Sequence, residues 1–299
     1  MSELGRELPS SLADLPGAVR ELPAVLAARW KEPLDRVAEQ LAAVADRIPT
    51  GRVKDALSGT WMGHPVHPVF TDTAIGLWTA SFVLDFIGGR EAADASATLT
   101  GVGVMVAVPT IATGLSDWSD LTGEQRRLGT LHAAGNLVVT GLYAASWLAR
   151  RRGHRATGIL FGVLGGTVAT GTAYVGGHLV YGRGVGVDAT AFDRLPRSWT
   201  AAMDDADLGE GSATAEVGGV RLLLVRTEDG IRVLHDTCTH RGGPLHEGTI
   251  TDDTVTCPWH GSCFRLEDGA VVTGPATAPQ PALDARVRDG VIEIRRRTR

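Results

Sequence analysis

The sequence predicts a multi-domain protein, a four-helix transmembrane bundle followed by a small all-β domain. Three observations carry this. Apolar residues crowd into residues 69–181 while charges gather before and after them. Beyond residue 205, short β-branched runs alternate with Asp-Gly turns. Within that second block two loops, Cys238-Thr239-His240 and Cys257-Pro258-Trp259-His260, each present one thiol and one imidazole.

At 299 residues, with 43% hydrophobic and 21% charged residues, the averages are those of an ordinary soluble protein, and they hide the contrast between blocks. A net charge of -5 gives no reason to expect a nucleic-acid partner. The three cysteines, Cys238, Cys257 and Cys263, cannot form a disulfide framework in a chain this long, so a cofactor is the better reading of the first two. Glu3, Glu7 and Asp14 interrupt the first twenty residues. Neither a cleavable signal peptide nor a twin-arginine leader is visible there, and insertion is expected to use the internal apolar segments.

Residues 1–60 form an N-terminal polar and helical segment. After Pro33 at a plausible first turn, Leu34, Val37, Leu41, Val44 and Ile48 share one face, which either packs on the protein or lies on the membrane surface. Residues 61–182 form the membrane domain, with spans near 69–87, 98–115, 131–149 and 157–181, each long and apolar enough to cross a bilayer. A soluble bundle would show polar faces, and residues 102–111 and 159–175 show almost no charge. Pro109 should bend the second span. Gly158, Gly162 and Gly166 make a smooth strip on the fourth, where a neighbouring helix can approach closely. Residues 183–204 read as a linker and 205–299 as the β-domain, with strands at 221–226 and 231–236. Its turns fall at Glu228-Asp229-Gly230, Glu267-Asp268-Gly269 and Arg288-Asp289-Gly290.

The two Cys/His loops decide the chemistry. A zinc finger pairs its cysteines in one loop and its histidines on a helix, whereas here each loop mixes the two, which suits a cluster with sulfur ligands on one iron and nitrogen ligands on the other. The boxes Cys-Thr-His-Arg-Gly-Gly-Pro-Leu from Cys238 and Cys-Pro-Trp-His-Gly-Ser-Cys-Phe from Cys257 resemble the Rieske family over residues 205–296. The resemblance implies a Rieske 2Fe-2S cluster, with Cys238 and Cys257 on an inner iron and His240 and His260 on an outer iron near solvent. It also implies a proline loop over the cluster at Gly274-Pro275 and Pro279. Ser262 stands where the family often donates a hydrogen bond to sulfur, and Phe264 where high-potential members carry a tyrosine. Gly243 and Trp259 stand where respiratory-complex members carry an extra cysteine pair. Together these resemble a ferredoxin-like member, with a potential expected in the lower part of the roughly -150 to +300 mV Rieske range. Cys263, His235 and His246 read as packing or strand residues, not ligands.

In the membrane block, His64, His67, Asp72, His132 and His178 fall at one end if the spans run up and down. Titratable groups at that depth mark sites or pathways. The candidates are a quinone pocket, a haem b held by histidines such as His132 and His178, or a metal site, against plain hydrogen bonding at the interface. The run Gly63-His64-Pro65-Val66-His67-Pro68, with Asp72 and Gly76-Leu77-Trp78, resembles an uncharacterised four-span membrane family over residues 60–182.

The expected location is the cell membrane, multi-pass. Arg150, Arg151, Arg152 and Arg155 would put their loop in the cytoplasm and the cluster outside. Arg52, Lys54, Arg126, Arg127 and Arg183 nearly balance that count, and clusters are loaded in the cytosol, so the reading adopted has the Rieske domain facing the cytoplasm. The expected partners are a redox partner protein, the lipid membrane and a quinone. No catalytic base or nucleophile is legible, so any oxidoreductase role is that of an electron-transfer component between a soluble partner and a membrane quinone or haem. The rival readings are a cluster-based redox sensor coupled to the membrane domain, and an oxygenase component, which would need a further mononuclear iron site.

Overall fold

The computed structural model describes residues 15–297; the leader reading at the extreme N-terminus rests largely on residues outside this range. The helices are α1 (Leu15–Arg29), α2 (Lys31–Ala45), α3 (Arg52–Ser58), α4 (His67–Ile87), α5 (Ala93–Ser119), α6 (Gly123–Arg151), α7 (Arg155–Gly177) and the short α8 (Asp205–Leu208). The strands are β1 (Thr200–Asp204), β2 (Ser212–Val217), β3 (Val220–Thr227), β4 (Gly230–His235), β5 (Thr249–Thr251), β6 (Thr254–Thr256), β7 (Cys263–Arg265), β8 (Val271–Thr273), β9 (Ala282–Arg288) and β10 (Val291–Arg296). The chain divides into two compact units, one of residues 1–47 and 68–185, the other of residues 48–67 and 186–299.

Among the described residues of the helical unit, three helices are long and apolar enough to cross a membrane: His67–Ile87, Ala93–Ser119 and Arg155–Gly182. The expected span at 131–149 lies inside α6, which falls short of that standard. Within that span His132 and Asn136, with Thr140, Ser146 and several glycines and alanines, lower the hydropathy of the run. α5 runs through Pro109 without a break. The core is built on Trp78 and Tyr143, whose rings stack at 4.1 Å and 6°, with Ala74, Ala107 and Val139 around them. The glycine strip of α7 does meet α6. A Cβ on Gly158 would lie 2.5 Å from Arg150 Cγ, and one on Gly166 would lie 3.4 Å from the Tyr143 hydroxyl. Ser146 Oγ donates to the Gly158 carbonyl at 2.6 Å.

At the end of α6 a buried ion pair closes the bundle. Arg150 grips Asp85 with two parallel bonds of 2.8 and 2.7 Å, both side chains being only 3–4% exposed. Ser96 adds a bond to Asp85 at 3.0 Å. α2 packs within this unit through Leu34, Ala38 and Ala45, whereas Val37 and Val44 are exposed. The buried face is therefore rotated from the expected one. Alanines at 38 and 45 let α2 approach Trp118 and Leu121 closely, and close approach outweighs the larger transfer energy of the valines.

In the other unit, a six-stranded sheet in the order β1-β10-β9-β4-β3-β2 accompanies a four-stranded sheet β5-β6-β7-β8. The Asp-Gly turns fall where expected, Asp289 (φ 53) and Gly290 (φ 80) joining β9 to β10 with both residues in the left-handed region. The expected linker is partly strand: residues 200–204 form β1 and pair with β10. One core, of Leu222, Leu224, Val233, Leu283, Ile292 and Ile294 among others, fills the large sheet. A second, of Leu223, Leu234, Leu245, Val255, Phe264 and Leu266 with Cys238 and Cys257, lies under the Cys/His loops.

Candidate metal centre

The two loops are geometric twins. Cys238 follows β4, and its N–H donates to the Gly243 carbonyl at 2.8 Å while Gly242 N–H returns to the Cys238 carbonyl at 2.8 Å. Cys257 follows β6, and its N–H donates to the Ser262 carbonyl at 2.8 Å while Gly261 N–H returns to the Cys257 carbonyl at 3.1 Å. Gly242 and Gly261 take φ of +78° and +76°, a conformation that favours glycine. Such a turn aims several backbone N–H groups inward. Those of His240 and Arg241 face the Cys238 sulfur, and those of Trp259 and His260 face the Cys257 sulfur.

The thiols of Cys238 and Cys257 are buried and within hydrogen-bonding reach of each other. They share a proton, which pushes the Cys238 thiol up and holds the Cys257 thiol down. The imidazoles of His240 and His260 are half-buried, edge to face at 5.1 Å between ring centroids. Burial first, then the positive charges of His260, Arg241 and Lys54, bring the His240 pKa down to about 3, so the ring is neutral and suited to ligation.

Among the described residues no three His, Cys, Asp or Glu side chains converge as a single-ion site requires. The donors come instead as a sulfur pair and a nitrogen pair. That set fits a two-iron cluster, since each iron would need only two protein ligands, and the inward N–H groups suit the negatively charged thiolate sulfurs that such a cluster requires.

A third loop, residues 274–280, closes over the first two. Ala276 N–H donates to Ser262 Oγ at 3.0 Å, and Pro275 is buried. Ser262 is thus an acceptor here, with its own hydroxyl proton available to a sulfur. Phe264 is wholly buried in the core beneath. Sequence reasoning missed Gln280. It is 1% exposed; its Oε1 accepts from Thr239 N–H at 3.1 Å, and its Nε2 donates to the carbonyls of His235 and Thr237 at 2.5 and 2.7 Å. Its place between Pro279 and Pro281 was the signal available. His235 and His246 serve as struts. His235 Nε2–H donates to Asp193 at 2.8 Å while its Nδ1 accepts from Thr237 N–H at 3.0 Å, and His246 Nδ1 meets Asp236 at 2.8 Å.

The candidate residues of the membrane block have different surroundings. His132 uses both ring nitrogens inside the bundle, Nδ1 to the Thr172 carbonyl at 2.9 Å and Nε2 to the Asn136 amide at 2.9 Å, and Asn136 Oδ1 in turn accepts from Thr172 at 3.0 Å. His178 opens a single π-helical turn, His178–Gly182, and its Nε2 is buried without a hydrogen-bond partner among the described residues. Asp72 and His64 are exposed, with His64 Nδ1 near the Pro65 carbonyl at 3.1 Å, and His67 is half-buried.

Comparison with known proteins agrees with these two halves. The Rieske 2Fe-2S domain family matches residues 198–287, and the family described as predicted membrane protein DUF2231 matches residues 63–189. The chain is 31% identical over 93 residues to ferredoxin CarAc of Metapseudomonas resinovorans, covering 31% of this chain and 87% of the relative. It is 33% identical over 86 residues to the anthranilate 1,2-dioxygenase ferredoxin subunit of Burkholderia cepacia, covering 28% of this chain and 80% of the relative. It spans only 13% of the mouse apoptosis-inducing factor 3 that it also matches, at 30% identity over 27% of this chain.

Proposed function

The chain belongs to the Rieske 2Fe-2S domain proteins, with a DUF2231 membrane-protein domain ahead of that module, and on that premise we propose a membrane-bound electron-transfer protein working between a soluble redox partner and a membrane quinone. The observation that carries this reading is the pairing of two buried thiols with two half-buried imidazoles on twin loops. Cys238 and Cys257 would hold one iron through sulfur, and His240 and His260 the other through nitrogen. When bound, the cluster supplies one-electron chemistry at a potential set by the hydrogen bonds and charge around it. The chain's own residues hold the sulfurs away from water, aim backbone N–H groups at them, and leave the imidazole edges toward solvent, where a partner protein would dock. The ferredoxin relatives favour a partner that exchanges a single electron.

On the membrane side, the four helices α4 to α7 form the four-span bundle, and the acceptor is a quinone. Both ring nitrogens of His132 are occupied within the bundle, which disfavours it as a haem ligand. His178, with its buried Nε2, is the donor we assign to a quinone carbonyl. The cluster domain lies on the cytoplasmic side, where clusters are assembled.

Optical and low-temperature EPR spectra of the detergent-purified, dithionite-reduced protein test this, alongside His132→Ala and His178→Ala. A Rieske signal, with average g below the free-electron value, and quinone-dependent reoxidation lost in the His178 variant are expected. Protein reconstituted with iron and sulfide that shows no such signal would overturn the cluster assignment. A Soret band abolished by either histidine variant would replace the quinone with haem.

A further inference from the structure

The segment that leads into α4 belongs to the same compact unit as the cluster loops, and it is fastened to the third of them. Asp55, on α3, accepts the Gly274 N–H at 2.8 Å. Thr60, in the 3-10 turn Thr60–Met62 that follows, donates to the Ala276 carbonyl at 3.1 Å. Ala276 N–H in turn reaches Ser262 Oγ at 3.0 Å, and the Ser262 carbonyl accepts the Cys257 N–H at 2.8 Å. A continuous line of hydrogen bonds therefore runs from Asp55 and Thr60 through the third loop to a cluster cysteine.

The fit leaves no slack. A Cβ on Gly274 would collide with Thr60 Oγ1 and stand 3.0 Å from Asp55 Oδ1. Gly59 turns the chain with φ of +89°, and a Cβ there would strike the His64 carbonyl. These are the marks of a built contact. A bare carboxylate meeting a backbone N–H is moreover the stronger, charge-assisted kind of hydrogen bond.

We propose that residues 48–66 are a strap over the cluster, in which Asp55 and Thr60 are positioning residues that hold the third loop on Ser262 and so govern both the retention of the cluster and its potential. The last residues before the membrane helix thus serve the redox centre.

The inference rests on the cluster assignment above, and the test separates the two. Full-length protein in detergent is compared as wild type, Asp55→Ala, Asp55→Asn, Gly274→Ala and Gly274→Ala with Thr60→Ala. The readouts are the rate of bleaching by a chelator, the midpoint potential and the EPR line shape. Asp55→Ala should bleach roughly tenfold faster, the scale of one lost charge-assisted hydrogen bond, with a shifted midpoint and altered g values. Asp55→Asn, which keeps an acceptor oxygen, should stay near wild type. Gly274→Ala should behave like Asp55→Ala, and removal of the Thr60 side chain should relieve part of its defect. Should Asp55→Ala fail to fold, Thr60→Ala alone carries the test, with faster bleaching and a shifted midpoint expected. Unchanged bleaching and midpoint in a folded Asp55→Ala protein would overturn the strap, as would unchanged values in Thr60→Ala. Faster bleaching with unchanged midpoint and EPR would reduce it to a stabilising contact and overturn its positioning role. A wild-type protein without a Rieske signal would instead remove the cluster assignment itself.

Discussion

Gly243 lies against Cys257 so closely that a Cβ on the glycine would stand 2.8 Å from the cysteine Sγ. The same Cβ would be 3.0 Å from Cγ of Trp259, so the first loop lies against the second with no room for a side chain. Overpacking of this kind costs about 1–3 kcal/mol. Gly243→Ala should therefore lower the iron and sulfide bound per chain while leaving the helical signal of the membrane unit intact. Full iron content in that variant would mean that the loops separate without penalty.

Gln280 braces the first loop with three buried hydrogen bonds. Its removal strands two carbonyls and one N–H, each orphan costing about 1–3 kcal/mol. Gln280→Ala should lower the temperature at which the cluster absorbance is lost by several degrees or more. Gln280→Glu keeps the acceptor for Thr239 but loses both donors, and it should fall no nearer to wild type than halfway. A thermal scan of visible absorbance on the full-length protein decides.

Arg150 and Asp85 are a buried pair, and such pairs are costly to break from one side because the remaining charge loses its main partner; Asp85 would keep Arg155, at 3.7 Å and one-third exposed. About 3–5 kcal/mol is the usual scale. Arg150→Ala should give protein that aggregates on mild heating in detergent, whereas Arg150→Ala combined with Asp85→Ala should recover much of the loss. Size-exclusion profiles after heating would show whether the single variant is the worse of the two.

His240 also ties stability to pH in protein stripped of its cluster. Its folded pKa is down at about 3, against about 6.5 for an unperturbed imidazole. Between those values the unfolded chain holds a proton that the folded chain does not, so folded stability falls as pH is lowered through that window and is fully present above it. Denaturation of the apoprotein at pH 7 and pH 4.5 should show a drop in wild type that is smaller in His240→Asn. Equal drops would mean that His240 is free to protonate in the folded chain.

Much of this centre was legible in the residues. The cysteines and histidines recur at short spacings inside single loops, and ligand sets of that kind are local chemistry. The Asp-Gly turns were legible for the same reason, because left-handed backbone is a property of one or two residues. Elsewhere, readings that depended on context shifted. Val37 and Val44, expected either to pack on the protein or to lie on the membrane surface, are exposed, while Ala38 and Ala45 are buried, since small size at a helix contact can outweigh hydrophobicity. The end of the expected linker became β1 because β10 offered it a free edge.

By itself the sequence determined that a membrane-type helical block precedes a β-domain with two Cys/His loops, because hydropathy runs and short motifs are written within a few residues of one another. Only the tertiary structure decided what surrounds those loops. Gln280 reaches back 41 residues to Thr239, and Asp55 is joined to Gly274 across 219. Pairings so distant are selected by the folded backbone, which brings one donor to one acceptor, and no local pattern distinguishes them from the many other polar residues along the chain.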